Sequence, residues 1–188
     1  NVHAYYKITH YTENLALDAQ GNRTWTEYVS SEIIGKIGQT YTAEELTIPG
    51  FTFDATVDET VQSGELTAEG LDLKLYYVRN EYPYQVQYLE YGTNTPLHAP
   101  KYGTGKFGQI VSESAVDIED YQVVGDTSKT LNIQIEEDQT PVKNIIVFYY
   151  EEKEVTINYE VVGPDGCGTV DPVSETVKVK SGTAQGST

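Results

Sequence analysis

Two stretches of this 188-residue chain read alike without a gap: "GKIGQTYTAEELTIPGFTF" from Gly35 and "GKFGQIVSESAVDIEDYQV" from Gly105, a spacing of 70 residues. Self-similarity at such a period means that one supersecondary unit is built more than once and that neighbouring copies complete each other's cores. A unit of about 70 residues is close to the lower limit for burying an adequate core alone. Support between copies is therefore expected, all the more because Cys167 is the only cysteine and no internal disulfide can staple them.

The same motif removes a tempting alternative. "KYGTGKFGQ" (101–109) has the glycines and lysine of a phosphate loop, but that loop needs a glycine five positions before the Gly-Lys pair and a Ser or Thr after it. Pro100 and Phe107 occupy those places. A dinucleotide fingerprint fails as well, since the flanks are Pro-rich on one side and β-prone on the other. The step is then a repeat marker, placed where an extended segment bends into a short helix. Gly105 and Gly108 are expected to serve backbone geometry there, and Lys106 is an exposed charge with no role.

The repeat extends beyond its glycines. "KITHY" (7–11), "YQVQY" (84–88) and "VTINY" (155–159) alternate polar and larger apolar residues and each closes on a Tyr, as opening strands of three successive modules would. "LKLYYVRN" (73–80) corresponds to "IVFYYEEK" (146–153) as closing strands. Boundaries fall near Arg79–Pro83 and Glu151–Glu154, giving modules at 1–81 and 82–153 and the start of a third at 154–188. Alternation places Leu71, Leu73, Leu75 and Tyr77 on one face, with Ile146, Phe148 and Tyr150 their counterparts. The second Tyr of each doublet is thus expected buried and the first exposed.

Between these strands, "LALDAQGNRTWTEY" (15–28) turns at Asp18–Asn22 and reads as a hairpin, which also makes "NRT" (22–24) a turn and not a glycosylation site. The one helical signal is "TAEELTIPGF" (42–51). Thr42 is an N-cap with Glu45 completing a capping box and Pro49-Gly50 a stop, and Ser112 opens the same pattern in the second copy. Sixteen tyrosines, abundant Val, Ile and Thr, and no Met suit pleated, half-buried surfaces. The expected fold is α+β and mostly β: tandem β-grasp-like (ubiquitin-like) modules, each a small mixed sheet with one short helix, in an elongated array.

A net charge of −17 disfavours nucleic acid and anionic membrane surfaces. No apolar run approaches the roughly 20 residues that span a bilayer, and no signal-peptide pattern is present.

The G-K-x-G-Q step, the T/S-x-E segment after it, the "GFTF" or "DYQV" strand and the closing "LYY" or "FYY" strand resemble MucBP-type (mucin-binding protein) repeats of Gram-positive surface adhesins, over about residues 5–152. "HYTENL" and "GFTFDATVDETVQSGELTAEG" are similar to a related repeat of clostridial cell-surface proteins. The resemblance implies an exported, cell-wall-attached array that adheres to host mucin or other glycoprotein glycans, with export and anchor signals outside this stretch. The alternatives are a mechanical spacer without its own ligand and accessory repeats of a large secreted enzyme.

No catalytic constellation stands out. His3, His10 and His98 fall in two strands and a loop, Cys167 has no partner motif, and no cofactor motif occurs. The acidic stretches 117–120 and 136–139 lack the spaced ligands of a calcium loop and read as solvated turns, so no metal is expected. Tyr76, Tyr82, Tyr91 and Tyr149, taken as exposed, are the candidates for stacking on sugar rings; the bland reading makes them cross-strand packing partners. The Gram-positive resemblance also raises a Lys–Asn or Lys–Asp cross-link, with Lys7 and Lys74 on terminal strands and Asn132 and Asn144 on late ones.

Overall fold

The computed structural model describes residues 2–160, 162–164, 166, 168 and 173–180, and among them there is no helix. Cys167 lies outside the described residues. The first half of the chain forms β1 (His3–Leu17), β2 (Arg23–Lys36), β3 (Thr40–Thr42), β4 (Phe51–Phe53), β5 (Ser63–Glu65) and β6 (Leu71–Arg79). Then follow β7 (Glu81–Glu90), β8 (Pro96–Lys106), β9 (Ile110–Ser114), β10 (Tyr121–Val124), β11 (Ser128–Asn132), β12 (Ile145–Glu152), β13 (Glu154–Asn158) and β14 (Ser174–Lys178). By contacts the chain divides into two compact units: Asn1–Tyr84, Gly103–Val111 and Leu131–Asn144 in one, and Gln85–Tyr102, Ser112–Thr130 and Ile145–Thr188 in the other. This division follows packing and not the 70-residue period.

In the first unit β1 and β2 form a long antiparallel hairpin whose turn is closed by Asp18 and Asn22, with Gly21 at φ 83°. β1 also runs parallel to β6, and β4 closes the sheet antiparallel to β6, giving the order β2-β1-β6-β4. Leu73, Leu75 and Tyr77 are fully buried with Ala43 and Ile48, and Tyr6, Ile8, Phe51 and Phe53 pack around them. The second unit repeats the central pairing: β7 runs parallel to β12, which β10 flanks antiparallel. Val86, Tyr88, Ile146, Phe148 and Tyr150 are buried there. β13 and β14 pair antiparallel, so the third opening forms a hairpin in this structure.

The expected helix at 42–51 is absent. Thr42 ends strand β3, residues 43–48 have no regular structure, and in the second copy Ser112–Ser114 belong to β9. A two-turn helix is marginal by itself. Here tertiary bonds take its backbone groups instead: Ala43 N–H donates to Gln62 O (2.8 Å) and Leu46 N–H to the buried Tyr77 hydroxyl (2.9 Å). Tyr150 does the equivalent in the second unit, donating to Val116 O at 2.9 Å. Each such bond contributes about 1 kcal/mol net, which is enough to outweigh a marginal capping preference.

The G-K-x-G-Q step therefore bends between strands and not into a helix. Gly108 takes φ 79°, in the left-handed region that glycine adopts without strain. Gly105 is glycine for a different reason, since a Cβ there would sit 2.7 Å from Ile133 Cγ1. Lys106 has a role after all. Its Nζ lies 3.1 Å from Oε1 of Glu13, a carboxylate whose side chain is only 2% exposed. Glu13 also receives Arg79 N–H at 3.4 Å, and Arg23 stands 3.6 Å from its other oxygen.

Candidate functional site

The first repeat's outward aromatic is closed off. Tyr76 faces away from the core, as alternation requires, yet it is 7% exposed. Tyr11 lies directly opposite it in the parallel β1–β6 ladder and stacks on its ring at 4.9 Å, and Trp25 reaches over from β2 to meet it edge-on at 4.9 Å. Burial first, then neighbouring Tyr11 and Glu59, raise the Tyr76 hydroxyl above its ordinary pKa. Its expected exposure is thus overturned by two rings on its own side of the sheet. Arg23, on the same face of β2, lies 5.4 Å over Trp25 and 4.0 Å from Asp54. Trp25 also borders a cleft of about 480 Å³ with Asp18, Asp58 and Glu59 on its rim. Asp18 is held below the ordinary carboxylate range by the amides of Asn22 and Gln20.

The second unit leaves the corresponding face open. Tyr149 pairs in register with Leu89, not with an aromatic, and is half-buried. Tyr91, 62% exposed, meets it edge-to-face at 6.0 Å. Because Val86 and Tyr88 point into the core, Gln85, Gln87 and Leu89 lie on the outer face of β7. With Asn94 and His98 they line a cleft of about 290 Å³. The amides are ordered: Gln87 donates to Gln85 Oε1 (3.2 Å) and Gln85 to the Tyr102 hydroxyl (3.1 Å). An aromatic pair beside uncharged amide donors and acceptors can stack on a sugar ring and bond its hydroxyls.

Of the four candidate tyrosines the structure brings together only Tyr91 and Tyr149. Tyr82, half-buried in β7, takes a bond from Asn80 Nδ2 at 3.3 Å. Gln85 and Gln87 went unrecognised in the sequence, although "YQVQY" carries their signal: its glutamines are the positions that alternation sends away from the core; His98, expected in a loop, lies in β8.

Other candidates have structural employment. His10 is buried with Nδ1 2.9 Å from the Tyr77 hydroxyl, and His98 packs edge-on against Tyr88. Asn144, a candidate for cross-linking, is fully buried; its amide donates to Gln134 O (2.7 Å) and Pro83 O (3.2 Å). Glu136 accepts three backbone bonds, from Val142, Lys143 and Asn144. Among the described residues no three His, Cys, Asp or Glu side chains converge to hold a metal, and no helix is long and apolar enough to cross a membrane.

Comparison with known proteins bears on this geometry. The type 2 repeat of the mucus binding protein MUB from Lactobacillus reuteri aligns over 79% of this chain and 100% of that one, at 9% identity and a TM-score of 0.28. The crystal structure of Mub-RV aligns over 77% of this chain and 98% of that one, at 10% identity and a TM-score of 0.25. Superpositions at those scores say nothing about ligand or fold. No curated protein matches the chain. The family model described as MucBP domain, by contrast, matches residues 17–78 and 85–179, most of the sequence and both copies of the G-K-x-G-Q step. The chain therefore belongs to the MucBP domain family.

Proposed function

We propose that this chain is a non-enzymatic repeat region of a Gram-positive surface protein, exported and attached to the cell wall, that adheres to mucin or other host glycoprotein glycans. Its repeat units are 1–81, 82–153 and the opening of a third at 154–188. Family membership supports the class, and the open Tyr91–Tyr149 pair beside the Gln85–Gln87 row is the observation that carries the binding role. Tyr76 is a packing residue in this reading and drops out of the ligand set, while Tyr82 is peripheral.

Replacing both Tyr91 and Tyr149 by Ala removes a stacking platform that contributes roughly 1–2 kcal/mol, so retention on a mucin column should fall about tenfold with the melting temperature little changed. Full retention by a folded double variant rejects the site. A purely mechanical spacer is the second reading, favoured by the closed Tyr11–Tyr76–Trp25 face of the first repeat. It predicts no glycan retention by the parent chain either.

A further inference from the structure

The residue just before each opening strand meets the G-K-x-G-Q step, or its equivalent, in the same way. Val2 O accepts from Ile37 N–H (3.1 Å), Asn80 O from Phe107 N–H (2.8 Å) and Lys153 O from Val179 N–H (2.8 Å). The three steps are Lys36-Ile37, Lys106-Phe107 and Lys178-Val179. Gly38 and Gly108 share a left-handed φ, 82° and 79°, and donate to Leu66 O and Ile133 O alike. Three corners with this bond thus occur among the described residues, two of them with the left-handed glycine.

Two of these corners are docked against the end of the repeat that precedes them in sequence, each within its own compact unit. That end is marked by a left-handed turn, Gly50 (φ 83°) or Asp120 (φ 66°), whose carbonyl accepts from Asn80 (2.9 Å) or Lys153 (2.8 Å). An aromatic follows the turn, and a cation covers it both times. Arg79 lies 5.0 Å over Phe51 and donates to Phe107 O (2.7 Å), and Lys180 lies 5.2 Å over Tyr121. The Phe107 ring packs on Gly50 so closely that a Cβ there would stand 2.2 Å from it, and Lys106 pairs with Glu13.

The first corner has the same bond between Val2 and Ile37, and among the described residues no distal end is docked on it. Val2 is 70% exposed, and Lys36 is exposed. We propose that the Val2, Lys36 and Ile37 corner is a docking surface for the distal end of another repeat of this kind, joined ahead of it in the same polypeptide. Lys36 takes the incoming Glu13-type carboxylate, the Val2 amide takes the carbonyl of the left-handed turn, and Ile37 takes the place of Phe107 against that turn. Both distal ends among the described residues are already occupied, so a second free copy is not the occupant.

The test places one more copy of residues 2–79 directly before Val2 of the full chain and treats it with a zero-length carbodiimide, which joins lysines only to carboxylates they touch. The Lys106–Glu13 pair of the parent serves as internal standard, and a doubled near-ultraviolet signal from Trp25 reports that the added copy is folded. Mass spectrometry should then find Lys36 joined to Glu13 of the added copy, and Lys36→Gln should remove that product alone. The standard product without the Lys36 product in a folded extended chain overturns the proposal, and so does Lys36 joined between separate molecules of the unextended chain.

Discussion

His10 shows how one side chain ties stability to acidity. It is buried against the Tyr77 hydroxyl, and burial lowers its pKa below the ordinary 6.5. The unfolded chain therefore binds a proton near pH 6.5 while the folded one resists it, so stability present above that pH is lost as pH falls through the lower, folded value. Urea midpoints should drop as pH falls below about 6.5, and His10→Gln should flatten that part of the profile. An unchanged slope in the variant assigns the acid sensitivity elsewhere. Tyr77, on the other side of this bond, also holds Leu46, so a single hydroxyl joins the core strand to the segment that crosses it.

At the scale of elements, the turns that precede β4 and β10 differ in a way that can be measured. Gly50 and Asp120 both adopt left-handed backbone, and at Gly50 the Phe107 ring is pressed against the turn. Gly50→Ala should cost about 1–3 kcal/mol in urea unfolding from strain and overpacking together, whereas Asp120→Gly should be neutral or mildly stabilising. Equal losses at both sites would show that the Phe107 contact does not matter. The strands themselves were legible in the sequence, because "LKLYYVRN" and "IVFYYEEK" place a large apolar residue at every second position, and Leu73, Leu75 and Tyr77 in one and Ile146, Phe148 and Tyr150 in the other are buried. The helix was not, because Thr42 and Glu45 are a local signal that the distant Tyr77 hydroxyl overrides. Nor was the closing of Tyr76, since Trp25 lies in another strand and only the assembled sheet brings it over. Lys106 was illegible for the same reason, its partner Glu13 standing 93 residues away. Tyr91 and Tyr149 were candidates on expected exposure, and of the two Tyr91 is 62% exposed whereas Tyr149 is half-buried, because a strand's alternation shows which face a ring takes but not what covers it.

For the whole molecule the governing quantity is charge. At −17 the chain repels sialylated or sulfated glycans, so any stacking contact operates against a long-range barrier. Raising salt from about 0.01 M to about 0.15 M shortens the screening length from about 30 Å to about 8 Å, and retention on native mucin should increase. Removing sialic acid from the mucin should increase it at low salt and matter little at high salt. Retention that falls with salt instead would point to a cationic contact, with the few lysines and arginines in charge of binding.

The recurring corner at Val2, Asn80 and Lys153 has a genetic corollary. Because each opening strand is preceded by a residue that fills the same place, an in-frame duplication or loss of one whole repeat leaves the surviving joints with partners of the same chemistry. Recombination between the segments that encode two repeats can then change the number of repeats in a single step, without a new junction having to evolve, whereas a deletion that ends inside a repeat strands a left-handed turn and its aromatic without their cation. Natural length variants of such a protein should accordingly differ by whole repeats.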